Sequence, residues 1–144
     1  MIINTEWLKE KNANDDLLTW FAALFPNGGE LQSVLDQACA DDRPGDASWI
    51  LKHAGRNDSV YEAETIKAKH FIFAGSIKIS GSIEINGYIE AGGGIEASGG
   101  IEAGEDFCIF AGLRVKFTRW KMNALVSAKT KPVNLISGFW KDQP

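Results

Sequence analysis

Apolar residues recur every six positions through the middle of the chain: Phe71, Ile77, Ile83, Ile89, Ile95, Ile101, Phe107 and Leu113. A second track runs two residues behind it, through Phe73, Ile79, Ile85, Ala91, Ala97, Ala103, Ile109 and Val115. Between the tracks lie mostly Gly, Ser, Glu and Lys. Alternation within each hexad, as in Ser82-Ile83-Glu84-Ile85-Asn86-Gly87, predicts a short strand with one buried face. The small residues at the hexad ends predict bends, which glycine tolerates better than any other residue. Strand and bend at fixed spacing wind the chain into a β-solenoid. Three hexads make one coil of triangular section, and neighbouring coils must stack, because no hexad can bury its own apolar residues. The predicted register places Ile77 under Ile95 and Leu113, Ile83 under Ile101, and Ile89 under Phe107. On the outside it lines up Lys78, Glu96 and Arg114 with alternating sign, and Glu84 over Glu102 with like sign. A slip of one residue would bury every Glu, so the phase of the strands is strongly set.

Residues 1–58 carry the helical period instead. Thr5 to Lys11 predicts a short helix anchored by Trp7 and Leu8. Asn14 or Asp15 caps a second helix whose apolar face is Leu17, Leu18, Phe21, Leu24 and Phe25, stopped by Pro26-Asn27-Gly28-Gly29. A third stripe is Leu31, Val34, Leu35, Ala38 and Cys39, broken by Asp41-Asp42-Arg43-Pro44-Gly45. Asp46 is expected to cap a fourth helix with Trp49, Ile50 and His53, ended by Gly55. So small a helical segment builds little core alone. A short solenoid exposes strand edges at both ends. The helices are therefore expected to sit as a cap on the first coil, with Trp7, Trp20 and Trp49 at the contact.

After Phe117 the period fails. Leu125-Val126-Ser127-Ala128 and Leu135-Ile136 read as irregular strands that close the second end. The predicted class is α+β: a small helical domain (residues 1–58) capping a short three-coil parallel β-helix (residues 59–117), then a basic closing or dimerisation segment (residues 118–144).

Charge divides along the same lines. Residues 1–58 and 59–112 each carry a net −5, whereas residues 113–144 carry +6, within a whole-chain net charge of −4. The 44% hydrophobic content and five Trp exclude a disordered chain. No apolar run approaches the ~20 residues that span a bilayer. The N-terminal residues lack the basic and apolar regions of a signal peptide. With only two cysteines, far apart, the reading is a reduced, cytoplasmic protein.

Candidate chemistry is sparse. His70, beside the first clear solenoid strand, stands where hexapeptide acyltransferases place a histidine. The period is uninterrupted there, without the loop insertions such enzymes carry, so a structural role is favoured. Cys39 lies on an apolar stripe and reads as core; Cys108 points outward as a surface thiol. Two His and two Cys, scattered, give no metal-ligand spacing. Gly92-Gly93-Gly94 lacks the trailing Lys and the helix of a phosphate loop. The reading is a protein with no catalytic, cofactor or metal site. Its binding candidates are an acidic set, Glu84, Glu90, Glu96, Glu102, Glu105 and Asp106, and a basic and aromatic set, Arg114, Lys116, Phe117, Arg119, Trp120 and Lys121. The second set could stack on nucleic-acid bases. An acidic body repels phosphates, which favours contact with a second copy or a protein partner instead.

The stretch from Gly87-Tyr88-Ile89-Glu90-Ala91-Gly92 through Gly100-Ile101-Glu102-Ala103-Gly104 resembles the GxIEAG arrays of phage and prophage proteins of undefined role. Ser48-Trp49-Ile50-Leu51-Lys52-His53-Ala54-Gly55 and Phe110-Ala111-Gly112-Leu113 share that resemblance. The double apolar track is more distantly similar to the right-handed coils of bactofilin-like proteins. Ile79, Ile85 and Asn86 depart from the commoner small residues of the phage arrays. The resemblance implies a phage-borne intracellular protein and carries no activity with it. The resulting expectation is a non-catalytic inhibitor or modulator of a host nucleic-acid-handling machine, anti-CRISPR-like or anti-restriction-like. Its acidic solenoid would imitate DNA, and its partners would be a host protein or nucleoprotein complex and a second copy of itself. The alternatives are a self-assembling structural protein of bactofilin type and, behind it, a hexapeptide-type acyltransferase.

Overall fold

The computed structural model describes residues 1–103, 109–111, 125–128, 131–132 and 135–141. The chain opens with β1 (Ile2–Ile3), α1 (Thr5–Glu10) and α2 (Asp15–Leu24), followed by β2 (Gly29–Glu30), α3 (Leu31–Ala40) and α4 (Pro44–Ala54). Side chains satisfy the free N–H groups that begin three of the helices. Asn4 accepts from the Trp7 N–H at 2.8 Å, Asn14 from Leu17 at 2.8 Å, and Glu30 from Gln32 at 2.9 Å. The fourth helix starts two residues before the expected Asp46 cap. Pro44 opens it, since proline has no N–H to leave unpaired and its φ is already helical. Gly55 ends it at φ 82°, where a side chain would be strained. The pairing of β1 with β2, antiparallel through Ile3 and Gly29, has no counterpart in the helical pattern of this segment.

From Val60 onward the chain is a parallel solenoid. Its first coil is β3 (Val60–Ala63), β4 (Ile66–Ala68) and β5 (Phe71–Phe73). The second is β6 (Ser76–Ile79), β7 (Ile83–Ile85) and β8 (Ile89–Ala91), and the third is β9 (Ile95–Ala97), β10 (Ile101–Glu102) and β11 (Ile109–Phe110). Three flanks result, with strand orders β3-β6-β9, β4-β7-β10 and β5-β8-β11. The strands β12 (Leu125–Ser127), β13 (Leu135–Ser137) and β14 (Phe139–Trp140) extend the first and third flanks, in parallel, beyond the third coil.

The predicted partners Ile77–Ile95, Ile83–Ile101, Lys78–Glu96 and Glu84–Glu102 are all in register. The hexad beat is not strict at either end. Tyr61 pairs with Ile77 and Ile66 with Ile83, so the first coil is shorter than its successors. Ile109, and not Phe107, pairs with Ile89. Val126 takes the place over Ile95 that the beat assigned to Leu113, and Ser127 the place over Glu96 assigned to Arg114. Phe107, Leu113 and Arg114 lie outside the described residues. A parallel ladder requires matched strands, not matched bend lengths, so residues added or lost at a corner leave the pairing intact.

Two cores follow. Ile77, Ile83, Ile89, Ile95 and Ile109, with Ala91 and Ala97, fill the solenoid. Leu8, Leu17, Phe21, Val34, Leu35, Ile50 and Leu51 fill the helical unit, and that second core also takes in Ile72 and Ala74 from the solenoid. The helices thus pack on the first coil, chiefly along β5. Trp7, Trp20 and Trp49 pack against the helical core; Trp20 donates to Asp41 at 2.8 Å and Trp49 lies on the His53 ring. At the open end of the first coil, Tyr61, Phe71 and Phe73 pack ring against ring, with centroids 5.0–6.1 Å apart.

Candidate functional site

Successive hexads fall on successive flanks, and this distributes the acidic set. Glu84 and Glu102 are exposed neighbours on the β4-β7-β10 flank, with Lys67 completing the column and reaching Glu84 at 3.9 Å. Glu96 stands on the β3-β6-β9 flank, in a column that reads Glu62, Lys78, Glu96, Ser127. Glu90 is buried on the third flank, 3% exposed beneath α4. These four acids therefore lie on three flanks, because a three-sided coil turns each hexad onto a new face. Glu105, Asp106, Arg114, Lys116, Phe117, Arg119, Trp120 and Lys121 lie outside the described residues.

The braced flank holds most of the polar chemistry. The Gln32 amide donates to the Ile72 carbonyl at 2.8 Å and accepts from the Ala74 N–H at 3.0 Å. It serves the outer edge of β5 as a neighbouring strand would, and so protects that edge. Ser48 of α4 donates to the Glu90 carboxylate at 3.1 Å. In the α3–α4 turn, Asp42 adopts φ 56° and receives both His70 Nε2 at 2.8 Å and Lys69 Nζ at 2.9 Å. The Tyr88 N–H donates to His70 Nδ1 at 3.0 Å, which leaves the proton on Nε2 for Asp42. Both ring nitrogens of His70 are thus engaged, and its side chain is 2% exposed. It clasps the helical turn to two successive coils.

The carboxylates on this flank are shifted in opposite directions. Hydrogen bonds from His70 and then Lys69 hold Asp42 below the ordinary range. Burial pushes Glu90 up, partly offset by the Ser48 hydroxyl and the Lys52 charge. Burial likewise raises Asp36, and pushes the Cys39 thiol up to about 12, so that thiol is core. Asp42 contributes stability above the unfolded carboxylate value that is lost as pH falls through its lowered value. Glu90 has the opposite sign: its contribution is present below the unfolded value and is lost as pH rises through the raised one. Glu90→Gln keeps an acceptor for Ser48 and removes the buried charge. It is expected to raise the melting temperature at neutral pH and to flatten the loss of stability between acid and neutral conditions. A neutral-pH melting temperature at or below wild type would contradict the burial cost.

Sequence patterning missed Gln32, Asp42 and the covered state of Glu90. One signal was available: Phe71-Ile72-Phe73 breaks the alternation with an apolar outward residue, the mark of a strand covered on both faces. Nothing in the pattern separates Glu90 from the exposed Glu84. Among the described residues no His, Cys, Asp or Glu cluster is arranged to hold a metal ion, and no helix is long and apolar enough to cross a membrane.

The helical unit, from β1 to the end of α4, is where a likeness to known proteins lies. Residues 1–56 match the family model of the YdhT N-terminal domain. The YdhT-like stretch covers all four helices and none of the solenoid strands. No curated protein and no solved structure matches the chain. The Asp42 clasp, the Gln32 edge contact and the Ser48–Glu90 hydrogen bond all run from the YdhT-like unit to the repeats.

Proposed function

We propose that this chain is a non-catalytic binding protein that modulates a nucleic-acid-handling machine of a bacterial host by occupying a basic protein surface on it. The observation that carries this reading is the β4-β7-β10 flank. Glu84 and Glu102 stand exposed on adjacent rungs, in register and of like sign, with a single Lys67 at the head of the column. Like charges one rung apart cost the fold stability. A basic surface laid along the flank would remove that repulsion, and charge complementarity of this kind speeds encounter and selects partners. The YdhT-like helices brace another flank and leave this one open. The resemblance of the repeats to phage arrays supports an anti-restriction-like or anti-CRISPR-like role.

The test is capture by the full-length chain from cells carrying restriction or CRISPR surveillance complexes, alongside a Glu84→Lys/Glu102→Lys variant. The expected result is a host complex retained by wild type, released by salt and lost in the variant. Capture that the variant leaves unchanged, or no complex at any ionic strength, would sink the reading.

Self-assembly of bactofilin type is the second reading. It is favoured by β12, β13 and β14, which carry the parallel ladder past the third coil. Light scattering over a concentration series separates the two: growth without limit marks a polymer, a fixed small species does not.

A further inference from the structure

We infer that the β3-β6-β9-β12 flank is a docking surface for a second copy of this chain, turned over about a two-fold axis that runs parallel to the strands. The axis lies between the rungs of β6 and β9.

The first ground is charge. The central outward column reads Glu62, Lys78, Glu96, Ser127 along the coil axis, and the register of β14 on β12 carries it on to the exposed Lys141. Reversing its order about the midpoint of Lys78 and Glu96 sets Lys78 against Glu96 of the other copy, and Glu96 against its Lys78. Glu62 meets the hydroxyl of Ser127, and Lys141 falls one rung beyond Glu62 of the other copy. An isologous contact makes each pair twice. Lys78 and Glu96 are in-register neighbours, yet neither makes an ion pair among the described residues.

The second ground is apolar contact, two residues back along each strand. That column reads Val60, Ser76, Gly94, Leu125, with Ser76 facing Val60 and its hydroxyl accepting from the Gly94 N–H at 3.2 Å. Phe139, in register with Leu125, continues it onto β14. Val60 is 54% exposed and Leu125 half-buried. The same two-fold sets Val60 against Leu125 of the other copy, twice. A hollow of about 240 Å³ lies along this column. A larger one of about 620 Å³ runs beside Glu62, Lys78 and Glu96. One operation thus matches opposite charges and sets Val60 against Leu125.

Other occupants fit less well. The column alternates in sign, so it offers no field to steer a polyanion. A partner must repeat the reversed alternation at the spacing of the rungs, roughly 4.8 Å. A second solenoid of this sequence does so along the four rungs from β3 to β12. This surface is separate from the one proposed for the host partner, so the two readings stand or fall independently.

The test is oligomeric state of the full chain by sedimentation velocity over a concentration series. Wild type is expected to dimerise, more weakly at high salt. Lys78→Glu and Glu96→Lys, alone, each place like charges opposite one another twice and should weaken the dimer about tenfold or more. The variant carrying both should recover it. Val60→Asp, at a position already open to water, should weaken the dimer while keeping the wild-type circular dichroism. A wild type that stays monomeric, or that grows into polymers, overturns the inference. So does a dimer indifferent to Val60→Asp and to both single reversals, or a double reversal that remains as weak as either single one.

Discussion

Gly92→Ala is expected to destabilise the protein by about 3 kcal/mol or more, at the upper end of what overpacking a close-packed site costs. A Cβ on Gly92 would run into the carbonyl of Ala74, on the coil beneath, and against Arg56 Cβ, 2.8 Å away. That carbonyl also accepts from Asn57, and the Gly92 N–H is held by the carbonyl of Phe73, so neither backbone can move aside cheaply. Gly100→Ala is the matched control. Its Cβ would meet nothing within 4 Å among the described residues. Both replacements restrict the unfolded chain equally. Urea unfolding should therefore separate them, with Gly100→Ala within about 0.5 kcal/mol of wild type. Equal losses would show that the stacking of one coil on the next is not what reserves position 92 for glycine.

Ile72→Ala is expected to cost about 2–5 kcal/mol, the range for emptying a buried aliphatic site. The residue is 1% exposed, although it points away from the solenoid interior, because α3 and α4 close over it. Ile136, 62% exposed on the same flank, supplies the comparison: Ile136→Ala should fall within about 0.5 kcal/mol of wild type. Similar small losses at both positions would mean that the helices do not brace this flank.

Much of the architecture could be read from the chain. The hexad period yields the parallel coil and the columns Lys78–Glu96 and Glu84–Glu102, since a strand of period two has only one phase that keeps Glu outside. Asn14 and Gly55 mark helix ends through hydrogen-bonding and backbone angles that belong to those residues alone. Glycine is a partial case. The bend glycines are legible as small residues needed at corners. The described glycines with positive φ are Gly28, Gly55 and Gly138, so those of the middle coils are required for space and not for backbone angle. That requirement comes from Ala74 over Gly92 and from His70 against Gly87, contacts a full coil apart in sequence.

The candidate surfaces were less legible. Glu84, Glu90, Glu96 and Glu102 look equivalent along the chain, yet one is buried under a helix, one shares a column with Lys78, and two stand together in the open. What sets them apart is the threefold turn of the coil and the placement of the helical unit.

The sequence by itself determined the helical character of the N-terminal segment and the inward face of the middle solenoid strands, because both are local consequences of side-chain spacing. Only the tertiary structure decided which flank the helices cover, where the ladder shifts from its six-residue beat at Ile109, and which acids remain exposed. Those outcomes depend on contacts between residues far apart in the chain, such as Asp42 with His70 and Gln32 with Ile72. Their energies arise when coils and helices meet, and a period in the sequence carries no record of that meeting.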